Sequence, residues 1–272
     1  MSTGTNGSTA VVTGAAGGLG QAWCRALAAK GYDVVGVDVQ GTDRTLDVRD
    51  PQACRDLARE TRPRVWVNNA GVLGAGDAAT QPDDEVRRVV EVNLLGVING
   101  TRAAVEVMRT DGPTGRGHVV NVGSLASWVP VPGECVYAAT KAGMLAWTLG
   151  LQAELRGHGV TGVRLSVLCP DGMLTPMIEP LLDDPAVAMT FSGLQLVTPE
   201  QVAAAGVALL DRPQLYRAVP RWRGGQVRLI AAVPGPALRL AGFFHRVGAR
   251  NQARVREAVR VSEQVHGPGS PR

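Results

Sequence analysis

The stretch TAVVTGAAGGLG, residues 9–20, decides how the rest of the chain is read. Its first part is a short apolar, β-branched run with the composition of a strand buried on both faces, and it ends in a glycine-rich turn that opens a helical pattern. Glycines at 14, 18 and 20 let the backbone turn tightly and approach a pyrophosphate, whose charge is stabilised by the amides at the next helix's N-terminus. Such turns follow many strands, so the reading depends on what accompanies it.

Four more runs of the same kind follow: DVVGVDV (33–39), RVWVNNAG (64–71), HVVNVGS (118–124) and VRLSVLCP (163–170). Each leads through a loop into a helical pattern. This alternation predicts an α/β fold, a Rossmann-type doubly wound parallel sheet with helices on both faces. Right-handed crossovers then place the loops after the strands along one edge, where ligands bind in such sheets. The second strand ends at Asp38, 18 residues after Gly20. That is close to the ~20-residue interval at which an acidic side chain accepts hydrogen bonds from the adenosine ribose. A carboxylate there repels a 2′-phosphate, and no Arg or Lys sits in the glycine turn or in VQGT after it. NAD(H) is therefore expected over NADP(H), with Leu19 and Val39 beside these groups in the cofactor set.

Composition bounds the remaining possibilities. With 272 residues, 45% of them hydrophobic, the chain can bury one large core. No run reaches the roughly 18 apolar residues of a membrane span, and MSTGTNGST lacks the apolar core of a signal peptide, so a soluble, cytoplasmic protein is expected. Cys24, Cys54, Cys135 and Cys169 are widely spaced and the four histidines form no ligand-like set, which predicts reduced thiols and no metal. The net charge of +4 conceals an acidic body and a basic end: residues 213–272 hold 11 arginines against two glutamates.

The segment VYAATKAG (136–143) contains one of three tyrosines and one of two lysines in a chain that otherwise writes its cations as arginine. A spacing of four puts Tyr137 and Lys141 on one helix face. A phenol with a pKa near ~10 exchanges protons poorly at neutral pH, and a neighbouring ammonium stabilises the phenolate. Lysine suits that task because its charge is compact and its stem flexible. Ser124, at the end of the fourth run, can hold a substrate oxygen beside the phenol.

In this order TGAAGGLG, NNAG (68–71), VNLLG (92–96), NVGSLAS (121–127) and YAATK (137–141) resemble the short-chain dehydrogenase/reductase family over roughly residues 8–212. The resemblance implies about seven parallel strands, a homo-dimer or homo-tetramer, and hydride transfer between nicotinamide and an alcohol or ketone. It implies Tyr137 as acid/base, Lys141 lowering its pKa and holding the ribose, and Ser124 orienting the substrate oxygen. Asn93 matches the asparagine that kinks its helix and anchors a relay water. Asp47 matches the adenine cap, with Val48 beside it, while Asn69, Ala70 and Gly71 line the adenosine side. In CPDGMLTPM (169–177), Pro170 and Thr175 match the family and Met173 adjoins the cofactor, but Asp171 replaces the usual glycine. Asp171-Gly172 is either another turn-forming pair or a carboxylate facing the substrate.

Substrate walls are expected from the segment between Ser124 and Tyr137 and from a lid over about residues 173–197. Leu125, Val129, Val131, Cys135, Met173, Met177, Ile178, Leu181, Leu182, Met189, Phe191 and Leu194 supply them, which suits a bulky hydrophobic secondary alcohol or ketone of steroid, terpene or lipid type. TPEQ (198–201) starts the helix beyond the lid. Residues 213–265 form a basic helical extension, and HGPGSPR (266–272) is expected to be disordered. Arg246, Arg250 and Arg254 share one row of its main helix, opposite Leu240, Phe243, Phe244 and Val247. This helix either covers the pocket or lies on an anionic membrane through weak association; nucleic acid is not expected. Two other functions fit the motifs less well: a catalytically weak NAD(H)-binding redox-sensing module, and a ketoacyl-type reductase.

Overall fold

The structure is a computed structural model that describes residues 7–110 and 115–266, and the expected tail lies, beyond His266, outside these residues. Seven parallel strands form one sheet in the order β3-β2-β1-β4-β5-β6-β7. They are β1 Thr9–Thr13, β2 Asp33–Asp38, β3 Arg44–Thr45, β4 Val65–Asn68, β5 Gly117–Val122, β6 Val163–Pro170 and β7 Tyr216–Val219. The helices are α1 Gly18–Ala29, α2 Pro51–Thr61, α3 Asp83–Val90, α4 Gly96–Met108, α5 Cys135–Gly157, α6 Pro199–Asp211, α7 Arg221–Ala231 and α8 Pro234–His266. Strand order reverses between β1 and β4, so the loops after these two strands splay apart and leave a crevice at the sheet's C-terminal edge.

Both faces of the sheet are covered, which is why its strands read as unbroken apolar runs. In β1, Ala10 and Val12 join the core under α1 and α6, while Val11 between them joins the core under α2, α4 and α5. Val120 and Val119 of β5 divide in the same way, following the two-residue period of a strand. The α1–α6 contact is tight: a Cβ on Gly206 would meet the Trp23 ring at 2.0 Å. β4 and β5 end earlier than their apolar runs, because Asn69–Gly71 and Gly123–Ser124 peel away to wall the crevice.

Beneath the crevice a buried polar network joins sheet and helices. Asn68 donates to Thr101 and Asn121, and accepts from the Trp66 indole at 2.7 Å; Asn121 donates to Thr148 at 2.9 Å. Full pairing makes such a network tolerable in a core, since an unmatched amide there is costly.

The lid between β6 and α6 contains two short 3-10 turns, Glu179–Leu181 and Pro185–Phe191. Three carbonyls along the second turn each meet a glycine from a different element. Added Cβ atoms on Gly133, Gly248 and Gly172 would lie 2.1, 2.0 and 2.0 Å from the carbonyl oxygens of Ala186, Ala188 and Thr190. α8 thus packs directly on the lid, where Asn251 donates to the carbonyl of Phe191 and Gln252 to that of Asp184. No helix of the described residues is long and apolar enough to cross a membrane.

The Gly248 contact leaves no space for a methyl group, so Gly248→Ala should separate α8 from the lid and cost about 1–3 kcal/mol as an overpacked site. Urea unfolding should show the loss and limited proteolysis should show faster cleavage within residues 174–196. An unchanged midpoint together with unchanged cleavage would mean that α8 does not restrain the lid.

Candidate active site

One cavity of about 520 Å³ follows the C-terminal edge of the sheet, from Asp38 and Val39 at one end to Met189 and Phe244 at the other. The β1–α1 turn forms its floor at the first end. Gly14 has φ +66°, and an added Cβ would lie 2.7 Å from the Cα of Ala70, so the turn and the loop after β4 can touch only with glycine there. The Asn69 side chain fixes this contact by donating to the carbonyls of Thr13 and Gly14. Gly17 supplies no side-chain cap to α1 and the first turn holds no acidic side chain, which leaves the helix N-terminus available to an anion.

Asp38 is oriented by the same turn: its carboxylate accepts from the amides of Ala16 at 3.1 Å and Val39 at 2.7 Å. The nearby arginines are engaged by their own acids. Arg44 bonds Glu60, and Arg49 grips Asp47 through both carboxylate oxygens. Arg49 was not expected from the sequence, and it holds the Asp47 carboxyl below the usual range. These residues fit a dinucleotide: the N-terminus of α1 would hold its pyrophosphate and Asp38 its ribose. The cavity is also lined by Leu19, Gly20, Val48, Gly71, Pro170, Met173 and Thr175, which the sequence assigns to the cofactor set.

Ser124, Tyr137 and Lys141 line the same cavity. Ser124 caps a short 3-10 turn, Leu125–Ser127, by accepting from the amide of Ala126. Its hydroxyl stands close enough to the Tyr137 phenol to favour the ionised form. The Lys141 ammonium lies 5.5 Å from the centre of the Tyr137 ring and donates to the carbonyl of Val122 at 2.9 Å. Burial dominates both groups: it pushes the phenol above its ordinary value, aided by the Glu134 charge, and pulls the ammonium down to about 8. Within the chain, the Ser124 hydroxyl is what opposes the rise at Tyr137.

Asn93 is fully buried behind the cavity, in a π-helical turn, Glu91–Leu95, set between α3 and α4. Its amide clasps Val72 in both directions at 2.8 Å, which binds the kinked helix to the loop after β4.

Toward the lid the walls are Leu125, Val129, Val131, Met177, Ile178 and Met189, joined by Leu238, Ala241 and Phe244 from α8. Several expected wall residues lie elsewhere. Cys135 is exposed and borders a separate shallow groove with Val90 and Leu94. Residues two apart on a helix point to opposite sides, so Cys135 cannot share the face of Tyr137. Leu181 packs with Val255 and Val259 of α8, Leu182 and Phe191 are buried in the same lid core, and Leu194 is 85% exposed.

Two further charged residues of the cavity, Glu134 and Arg223, were not anticipated. Glu134, three positions before Tyr137, is buried, and its Oε1 accepts from the Thr190 hydroxyl at 2.6 Å. The helical period that excludes Cys135 would have found it. Arg223 of α7 pairs with Asp171 at 3.1 Å and also reaches Ser192. The Asp171 carboxylate accepts from Gly172 as well, so it joins β6, lid and extension in place of standing free toward a substrate.

The chain is similar to known proteins. The family model for short chain dehydrogenase matches residues 8–186. The 1-deoxy-11-beta-hydroxypentalenate dehydrogenase of Streptomyces exfoliatus is 36% identical over 63% of this chain and 70% of its own. The human 15-hydroxyprostaglandin dehydrogenase [NAD(+)] is 34% identical over 64% and 71%. A crystal structure of a short chain dehydrogenase/reductase from Burkholderia phymatum, in complex with NAD, superposes with a TM-score of 0.73 at 24% identity, covering 83% of this chain and 93% of that one. The chain therefore belongs to the short-chain dehydrogenase family, an oxidoreductase family with a Rossmann fold, and carries in addition a helical C-terminal extension.

Proposed function

We propose that the protein is an NAD(H)-dependent dehydrogenase interconverting a bulky, largely apolar secondary alcohol and its ketone. The observation that carries this reading is the junction of Ser124, Tyr137 and Lys141 between a dinucleotide-shaped floor and an apolar end walled by Leu125, Val131, Met177 and Met189. The relatives named as dehydrogenases of a hydroxypentalenate and a hydroxyprostaglandin support the same substrate class. We treat the sheet through β7, residues 8–219, as the catalytic unit and α7 and α8 as the extension closing its apolar end; the extension expected to begin at residue 213 thus gives up its first residues to the sheet.

Bound nicotinamide supplies the hydride acceptor that no side chain provides. In the oxidative direction, the Ser124 hydroxyl positions the substrate oxygen, and the Tyr137 phenolate takes the hydroxyl proton as the C–O bond becomes C=O. Lys141, fixed on Val122, keeps positive charge behind that phenolate. Asn93 positions the loop after β4 through Val72. The lid and α8 exclude water from the reacting carbon. The apolar groove at Val90, Leu94 and Cys135 suits burial by a second copy, consistent with a dimer or tetramer; sedimentation analysis should find one of these, and a stable monomer would refute it.

Tyr137→Phe removes only the proton-carrying oxygen. It should abolish nearly all NADH formation from hydrophobic secondary alcohols while leaving NADH binding within a few-fold; substantial remaining turnover would place the acid/base elsewhere. Lys141→Arg should impair turnover and cofactor binding together.

Cofactor choice follows from Asp38. kcat/KM should favour NAD(H) over NADP(H), and Asp38→Ala should narrow the gap, because the carboxylate that repels a 2′-phosphate is removed while Arg44 and Arg49 remain bound to their own acids. Equal use of both cofactors by the unaltered protein would contradict this.

A further inference from the structure

Glu134 is a buried carboxyl group that the reaction described above does not use. It lies one helical turn before Tyr137, and both residues line the same cavity, with Leu125, Val131 and Met189 as apolar neighbours there. Glu134 is the N-cap of α5, and its charge acts on the Tyr137 phenol, so the carboxyl and the phenol are neighbours in one space. Thr190 of the lid occupies Oε1. Among the described residues no hydrogen bond from a protein donor reaches Oε2, and Glu134 lines the cavity. A carboxylate oxygen held in an apolar wall costs free energy unless a ligand supplies a hydrogen bond. A purely apolar alcohol leaves that requirement unmet.

We propose that Glu134 is a specificity-determining residue whose carboxylate accepts a hydrogen bond from a second hydroxyl of the substrate, carried within a few bonds of the carbinol that Tyr137 deprotonates. This rests on the reading of Tyr137 as acid/base and narrows the substrate class from plain apolar alcohols to hydroxylated ones. A neutral hydroxyl fits better than an ammonium, because Lys141 already places a cation in the same cavity. Glu134 is also linked to the closed lid: Thr190 bonds its carboxyl while the Thr190 backbone lies against Gly172, so the segment that covers the substrate holds the group that selects it.

The site has a titration of its own. Burial pushes the Glu134 carboxyl up to about 7, partly offset by the Thr190 hydrogen bond. The other titratable and charged groups lining the cavity are Asp38, Asp47, Arg49, Arg88, Tyr137, Lys141 and the Asp171–Arg223 pair, and Cys169 of β6 acts on Tyr137 and Lys141. Burial raises Tyr137, and raises Cys169 to about 12, while Lys141 is lowered to about 8. The ionised carboxylate, the better acceptor, is present above its pKa and lost as pH falls through about 7. Titration of Lys141 affects plain and hydroxylated alcohols alike, so a difference between them reports Glu134.

The test compares matched probes on the full-length protein: cyclohexanol with cyclohexane-1,2-diol, borneol with bornane-2,3-diol, and decan-2-ol with decane-2,3-diol. Affinity is read by calorimetry and turnover by NADH formation. In at least one pair the diol should bind roughly tenfold tighter or more, the worth of a hydrogen bond to a charged group. Its dissociation constant should rise between about pH 8 and about pH 6, with proton release on binding below the carboxyl's pKa, seen by comparing buffers of different ionisation enthalpy. Glu134→Gln, which can still accept from Thr190, should abolish the proton release and the pH dependence. Glu134→Leu should erase the preference for the diol while NADH binding stays within a few-fold. Equal affinity for diol and plain alcohol throughout, or a preference unchanged in Glu134→Leu, would overturn the inference and leave the dehydrogenase reading intact. No binding or turnover of any of the six compounds by the unaltered protein would count against both, and retained turnover in Tyr137→Phe against the acid/base reading alone.

Discussion

The site depends on keeping one ammonium group in a nearly dry interior. Lys141 is 5% exposed, and its charge is held at the end of β5 by the carbonyl of Val122. Desolvating a cation is costly, so the helix that carries it needs a fixed position relative to the sheet. The inner face of α5 shows how that is achieved. Thr148 and Gln152, seven and eleven residues after Lys141, lie on the same side and are also buried. Thr148 accepts from the Asn121 amide and Gln152 accepts from the backbone of Leu165. The helix is thus joined to β5 and β6 at three polar points, which fixes the axial position and rotation of Tyr137.

The same burial sets the acid/base problem. A phenol and an ammonium sharing a desolvated pocket are both driven toward their neutral forms, and the shifts seen here have those directions. The sequence reading assigned the tuning of Tyr137 to Lys141, yet within the chain it is the Ser124 hydroxyl that opposes the upward shift, while the Glu134 charge adds to it. The three side chains act as a unit because the low-polarity surroundings strengthen every interaction among them. Ser124 is placed by its own short capping turn, so its hydroxyl direction is set by backbone and not by the substrate alone.

Much of the sheet was legible because strands buried on both faces leave continuous β-branched runs, as in TAVVTG and HVVNVGS. β3 and β7 gave no such signal: β3 is two residues long and exposed, and β7 is a four-residue strand at the sheet's edge. The glycine turn, Asp38 and the Tyr137–Lys141 spacing were readable because each is a local pattern. Cys135 was misplaced by treating the segment before Tyr137 as uniformly pocket-facing, although the helical period allots that face to Glu134. Asp171 could not be resolved from sequence because its partner, Arg223, lies 52 residues further on in a part of the chain with no motif.

The extension is explained by what the lid lacks. A segment built of 3-10 turns leaves many carbonyls without the ladder partners that a helix or strand would supply, and in a covered position each needs a donor or very close packing. α8 provides both. Asn251 serves the carbonyls of Phe191 and Gly193, Gln252 those of Leu182 and Asp184, and Gly248 lets the helix backbone settle onto Ala188. The basic character of this region has a matching local use: Arg256 and Arg260 face Asp183 on the lid surface, and Arg223 neutralises Asp171 inside. An exposed pair of the first kind adds little free energy, so orientation is its main effect, whereas the inner pair is shielded from solvent and cannot lose one partner cheaply. The departure from the family's usual glycine at position 171 and the added C-terminal helices are therefore two halves of one arrangement: a carboxylate at the end of β6 gives the extension a charged anchor beside the cavity, and the extension in turn completes the wall that the lid alone leaves open.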